Sequence, residues 1–183
     1  MSGYGFKNGQ TSVILRVKLL DSSSTTGAGL TGLLFSSAGL IISTIADNEV
    51  AATAYTQAGS TIETVTTNGT YSAPTATKCR FKEVDSTNHK GVYEIQLADA
   101  RWAVASAKSL LISWSGATNL AQGDLVVPLL SDDPYVAKPT NFASLSIDGS
   151  GRIDIGKLLG TAWLTPGTAG TPDVNVKLWN ALT

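Results

Sequence analysis

Short runs in which apolar and polar side chains strictly alternate constrain this chain more than any other feature. From Ser12 to Leu20, Val13, Leu15, Val17 and Leu19 point one way, and Arg16 and Lys18 point the other. Over Lys78 to Val84, Cys79 and Phe81 oppose Lys78, Arg80 and Lys82. From Val92 to Leu97, Tyr93, Ile95 and Leu97 oppose Glu94 and Gln96. A period of two is the signature of a half-buried strand, and runs of this length are too short for amphipathic helices. Leu110, Ile112 and Trp114 mark a further strand, and Leu125, Val127 and Leu129 the last, with Pro128 placing that one at an edge or a sheet exit. Gly39 to Ala46 reads as a strand with Ile42 or Ile41 inward, while Tyr55 and Ile62 to Val65 give weaker, Thr-rich strands.

Turn signals separate these runs. The stretch from Asp21 to Gly29 is a loop by composition, and Asn68-Gly69 and Ala73-Pro74 are turns. Asp85 to Gly91 is a polar turn that makes a hairpin of its two flanking strands. Ala98 to Lys108, with Arg101 and Trp102, reads as a helical turn or a short helix crossing one end of the sheets. About seven or eight short strands with no βαβ alternation predict an all-β fold, an antiparallel β-sandwich, with a jelly roll as the alternative of the same period.

The texture changes at the proline-bearing joint Ser131 to Thr140. The expected organisation is an N-terminal arm over 1–11, a sandwich head over 12–130, a linker over 131–143 and a tail over 144–183. In the tail, Leu145 to Ile155 predicts a hairpin around Asp148-Gly149-Ser150-Gly151, and Val174, Val176 and Leu178 alternate with Asn175 and Lys177. A lone hairpin is marginal in water, so Ile147, Ile153, Ile155, Trp163, Val174, Val176, Leu178 and Trp179 are the expected oligomer interface.

Composition narrows function. Charged residues are only 15% of the chain and the net charge is −1, so nothing advertises a nucleic-acid partner, and surfaces can meet other copies without desolvating many ions. The run from Leu30 to Ala46 is too short and polar to insert in a membrane, and the first ten residues lack the apolar region of a standard signal peptide. The single cysteine, Cys79, excludes an intrachain disulfide.

The chemical candidates are sparse. His89, the only histidine, lies in a polar turn without a nucleophile elbow. Cys79 faces inward as a small hydrophobe, and one Cys with one His makes no zinc site. Asp148 to Asp154 has Ser150 and Arg152 where a calcium loop needs Asp or Asn and lacks the distal Glu, so a tight hairpin loop is the expectation. Asp132-Asp133 reads as a solvated linker, and the Lys78, Arg80, Lys82 stripe, beside Arg16 and Lys18, as a solvated strand face. Trp102 and Trp114 fit the core, while Trp163 and Trp179 suit a subunit interface. No metal, cofactor or catalytic residue is assigned.

Several phrases resemble the amino-terminal β-sandwich modules of tailed-phage structural proteins, among them siphophage upper baseplate proteins and related fibre proteins. They are Gly29-Leu-Thr-Gly32, Gly39-Leu-Ile-Ile-Ser-Thr44, Cys79-Arg-Phe-Lys-Glu-Val84, Gly91-Val-Tyr-Glu-Ile-Gln-Leu97 and Gly116-Ala-Thr-Asn-Leu-Ala121. Lys138-Pro-Thr-Asn-Phe142, Leu145-Ser-Ile-Asp148, Gly151-Arg-Ile-Asp154 and Pro172-Asp-Val-Asn-Val-Lys177 are similar to the joints and tails that follow such modules. The resemblance implies an Ig-like or related sandwich in a virion part assembled in the host cytoplasm, homo-oligomeric and often trimeric. Its expected partners are other virion proteins, with a host surface glycan as the ligand if the chain is instead an adhesin. It carries no catalytic motif.

Overall fold

A computed structural model describes residues 5–75, 77–131 and four two-residue strands in the tail. The chain divides into two compact units, Met1–Ala137 and Lys138–Thr183. The first is an all-β sandwich of nine strands: β1 Phe6–Lys7, β2 Leu15–Lys18, β3 Ile41–Ala46, β4 Thr53–Thr56, β5 Ile62–Thr64, β6 Cys79–Asp85, β7 His89–Gln96, β8 Ser109–Ser115 and β9 Gly123–Leu130. Each alternating run before Ser131 becomes one of these strands.

Sheet 1 has the order β1-β9-β8-β3-β4, and sheet 2 the order β2-β7-β6-β5. Both sheets are mixed. The interior pairings are antiparallel, but the edge strands β1 and β5 run parallel to β9 and β6. This departs from a wholly antiparallel sandwich, and the reason is chain length. A parallel neighbour requires a long crossover, and the segment between Thr64 and Cys79 supplies one.

The two inner faces meet in one core. Leu15, Ile42, Phe81, Tyr93, Ile95, Leu97, Leu110, Ile112 and Val127 are all buried. The rings of Phe81 and Tyr93 stack, with centroids 4.9 Å apart and planes 3° from parallel. Each large side chain removed from water contributes about 1.5–3 kcal/mol. Of the two isoleucines the sequence left open, Ile42 is inward and Ile41 outward. Cys79 is buried, and burial pushes its thiol pKa up.

The expected helical turn or short helix is a 3-10 helix, Asp99–Trp102. Two local details differ from the sequence reading. The β6–β7 turn is tighter than expected, because His89 already pairs with Asp85. Residues 6–7 of the expected arm belong to the sandwich: Phe6 is buried and meets Trp102 edge-on at 5.3 Å.

The strand registers give the sandwich two distinct ends. At one, the exit end, β9 finishes at Leu130 beside β1 and the 3-10 helix. At the other, the loop end, lie the β2–β3 connection, the β6–β7 turn and the β8–β9 connection. Two glycine pairs fasten the loop end. Gly91, at φ +78°, would place a Cβ 2.5 Å from the Cα of Gly29, and Gly39, at φ +79°, would place one 2.6 Å from the Gly116 carbonyl oxygen. Backbones this close, in left-handed conformations, admit only glycine.

In the tail, β10 Ser146–Ile147 pairs antiparallel with β11 Ile153–Asp154, bringing Ile147 opposite Ile153. β12 Lys157–Leu158 pairs with β13 Thr161–Ala162 across two residues, a hairpin the sequence reading did not find.

Candidate functional site

The outward positions of sheet 1 are nearly free of charge. β3 presents Ile41, Ser43 and Ile45, β8 presents Leu111, Ser113 and Ser115, and β9 presents Asp124, Val126, Pro128 and Leu130. Asp124 is the only charged residue among these, with Lys7 on β1 at the rim. Register aligns Ile45, Leu111 and Val126 into an apolar row across three strands. Val126 is 55% exposed, a β-branched apolar side chain standing in solvent.

The outer face of sheet 2 is built differently. Register aligns Arg16, Glu94 and Lys82 across β2, β7 and β6. The crossover between β5 and β6 lies over this row as a strap. Glu94 Oε2 accepts the backbone N–H of Gly69 at 2.9 Å and faces Arg16 Nε at 3.5 Å, and its Oε1 accepts from Gln96 Nε2 at 2.9 Å. Gln96 also accepts the Ser72 N–H at 3.0 Å and donates to the Thr70 carbonyl at 2.9 Å. Tyr71 Oη lies 3.1 Å from the Leu97 carbonyl and 2.9 Å from Asp99 Oδ1; burial first, then Asp99, pushes its pKa up to about 12. Arg80 donates to the carbonyls of Thr64 and Ala73. Glu94 and Gln96 are therefore fully buried, and Arg80 is largely covered. The expectation of a solvated face holds for Arg16 and Lys18, which are exposed, and is corrected at Arg80, where carbonyls of Thr64 and Ala73 take the place of water.

The loop end carries an open groove of about 340 Å3. Leu30, Leu33 and Ala38 give it apolar walls, and Thr31, Ser37 and Thr118 bring hydroxyls. Its floor is held from inside the sandwich. Glu83 Oε2 accepts the Gly32 N–H at 2.8 Å, and Tyr93 Oη accepts from Leu33 N at 3.1 Å while donating to the Leu30 carbonyl at 2.9 Å. Burial pushes the Tyr93 phenol up to about 12, so it stays a neutral donor. Leu34 and Phe35, next along the loop, are exposed.

The residues with catalytic chemistry are kept apart. Cys79 opens β6 near the exit end, while His89 stands at the other end of the hairpin, exposed, with Nδ1 3.7 Å from Asp85 Oδ2. Asp85 is held down to about 2 by the Asn88 backbone N–H, the Asn88 side chain and the Thr87 N–H, as a turn-closing carboxylate. Trp102 and Trp114 are buried in the core, as expected, so neither offers a face to a sugar. Among the described residues no three His, Cys, Asp or Glu side chains cluster to hold a metal, and no helix is long and apolar enough to cross a membrane.

Of the expected interface residues, Ile147 and Ile153 are register partners in the β10–β11 pair. Ile155, Trp163, Val174, Val176, Leu178 and Trp179 lie outside the described residues, as do Asp132, Asp133 and the residues joining β10 to β11. The sequence reading missed the charge-poor face of sheet 1. Its signal was present in the serines and aliphatics at alternate positions of β3 and β8, where β2 and β6 carry Arg and Lys. No family model matches the chain, and neither a curated protein nor a solved structure matches it.

Proposed function

We propose that this chain is a non-enzymatic structural component of a tailed-phage virion, a baseplate, fibre or fibre-anchoring part with an Ig-like head that assembles as a homo-oligomer and attaches to the particle. The observation that carries the assembly half of this reading is the charge-poor outer face of sheet 1, with its Ile45, Leu111, Val126 row. A face with so few charges meets another such face while stranding few ions, and symmetric assembly repeats the gain in every copy. The phage half rests on the resemblance of the sequence phrases. The architecture suits a mounted part: the chain leaves the sandwich at one end and the groove opens at the other.

Sedimentation velocity of the full chain tests assembly. An oligomer is expected, and a monomer at micromolar concentration would remove the basis of the proposal. The tail is tested by Trp179→Ala combined with Val176→Asp. A shift towards monomer places assembly there, and an unchanged oligomer assigns it to the sandwich.

The groove favours a second reading, a carbohydrate-binding adhesin for a host surface glycan. Its small hydroxyl-bearing walls beside the exposed Phe35 have the mixed character of sugar sites. A glycan array decides it: a specific hit lost in Thr118→Ala supports the adhesin, and an array without hits leaves the assembly reading alone.

A further inference from the structure

The chain contains two Asn-Gly peptides, Asn8-Gly9 and Asn68-Gly69, and the fold treats both alike. Each occupies the centre of a turn closed by a backbone hydrogen bond, Gln10 N to Lys7 O at 2.9 Å and Thr70 N to Thr67 O at 3.1 Å. Each glycine is left-handed, at φ +84° and +78°, as a type II turn requires. Each asparagine amide donates to two carbonyls. Asn8 Nδ2 reaches Val104 O and Ala107 O, both at 3.0 Å, and Asn68 Nδ2 reaches Glu83 O and Val84 O, both at 3.1 Å. Each glycine N–H is also engaged, Gly9 by the Trp102 carbonyl at 2.7 Å and Gly69 by Glu94 Oε2 at 2.9 Å.

These are the atoms that react when an Asn-Gly peptide deamidates. The glycine nitrogen loses its proton and attacks the asparagine Cγ, a new C–N bond forms, the Cγ–Nδ2 bond breaks, and ammonia leaves. Water then opens the succinimide to aspartate or isoaspartate. In both turns the nucleophilic nitrogen is hydrogen-bonded away and the leaving amide is anchored twice. The two sites differ in what must move to free them. Asn8 is tied to the ends of the 3-10 helix and of β8's lead-in, within the core-packed exit end. Both glycines are exposed to the water that hydrolysis needs, but Asn68 is itself a strap residue tied to the Glu83 and Val84 carbonyls of β6, so only the strap need lift.

We propose that Asn68 is a latent self-modification site: seating of the strap masks it, lifting of the strap unmasks it, and its conversion prevents the strap from seating again. Conversion removes both amide donors and turns a carboxylate towards the carbonyls of Glu83 and Val84. It also sets a new negative charge one residue from the Gly69 N–H that Glu94 accepts, where Asn68 Oδ1 is already buried without a partner. Isoaspartate further lengthens the backbone and carries Gly69 N off Glu94. Asn8 is the internal reference, released only when the head itself opens.

The test is peptide mapping of the full chain after incubation at mildly alkaline pH, scoring aspartate and isoaspartate at both sites. In the native protein both should convert more slowly than in the urea-unfolded chain, Asn68 faster than Asn8. Gln96→Ala removes the Ser72 and Thr70 bonds of the strap and should speed Asn68 by about tenfold, through a larger open population, while leaving Asn8 unchanged. A native Asn68 that converts as fast as in urea, or a Gln96→Ala protein in which Asn68 keeps its wild-type rate or Asn8 accelerates equally, overturns the masking. Asn68→Asp tests the lock independently. Hydrogen exchange at Thr70 and Ser72 should rise while that at Gln10 does not, and unchanged protection at Thr70 and Ser72 refutes it.

Discussion

Two rows of side chains, one on each outer face of the same sandwich, show how differently a strand's outward positions are used. On sheet 1 the row is Ile45, Leu111, Val126, and no chain segment lies over it among the described residues. On sheet 2 it is Arg16, Glu94, Lys82, and a strap of the chain's own backbone is hydrogen-bonded onto it. Val126 stands in solvent beside the half-buried Ile45 and Leu111, while Glu94, at the centre of the charged row, is fully buried, the reverse of what polarity alone suggests for those two positions. The lesson is that a buried polar row is held by satisfied hydrogen bonds, while an exposed apolar row asks for a partner.

The largest way to break the contrast is Glu94→Ala. It strands the Gly69 N–H, one Gln96 donor and the Arg16 guanidinium beneath the strap. Removing one member of a buried charged network costs about 3–5 kcal/mol, at the low end here because Arg16 is half exposed. Urea unfolding should show that loss, and a change under 1 kcal/mol would mean the strap is not anchored by this carboxylate.

Acid provides the next largest test. Arg101 donates to Glu49 through Nη1 at 2.7 Å and Nη2 at 2.8 Å, and that hydrogen-bonded pair, aided by the Ala46 N–H, holds the Glu49 carboxyl down to about 2. The folded pKa lies below the ordinary value of 4.5, so this carboxylate adds stability above pH 4.5 that is lost as pH falls towards 2. Glu49→Gln should lower stability at neutral pH by about 1–2 kcal/mol, discounted for partial exposure, and flatten the acid limb. An acid limb identical to the wild type would exclude the pair as its source.

Tyr71→Phe is gentler. It removes one hydroxyl between the strap, the Leu97 carbonyl and Asp99, at a cost of about 1 kcal/mol, with the steep part of the loss in hydrogen exchange of the strap rather than of the core. Uniform loss across the sandwich would show that strap and sheet open as one unit. The smallest stability effect belongs to sheet 1. Val126→Lys should change unfolding by less than about 0.5 kcal/mol, yet weaken self-association in sedimentation. A variant that assembles like the wild type would free this face from the proposed role.

Much of the sandwich could be read directly. The inward positions of β2, β6, β7, β8 and β9 follow the alternation residue by residue, and Cys79, Trp102 and Trp114 lie in the core as read. The edges were harder. β1 is two residues long, with an alternation too brief to register, and its place is set by pairing with Leu129 and Leu130 far along the chain. The groove was not legible either, because its two walls come from the β2–β3 and β8–β9 connections, whose sequences carry no period at all.

What the sequence determined by itself is which side chains line the inside, because the period of a strand is a local property and one face must leave water. What only the tertiary structure decided is the fate of the other face. Arg16, Glu94 and Lys82 look like a solvent-facing row whether water or a backbone segment meets them. The parallel pairing of β5 with β6 made the difference: it forced a crossover, and that crossover lies on sheet 2 and leaves sheet 1 open.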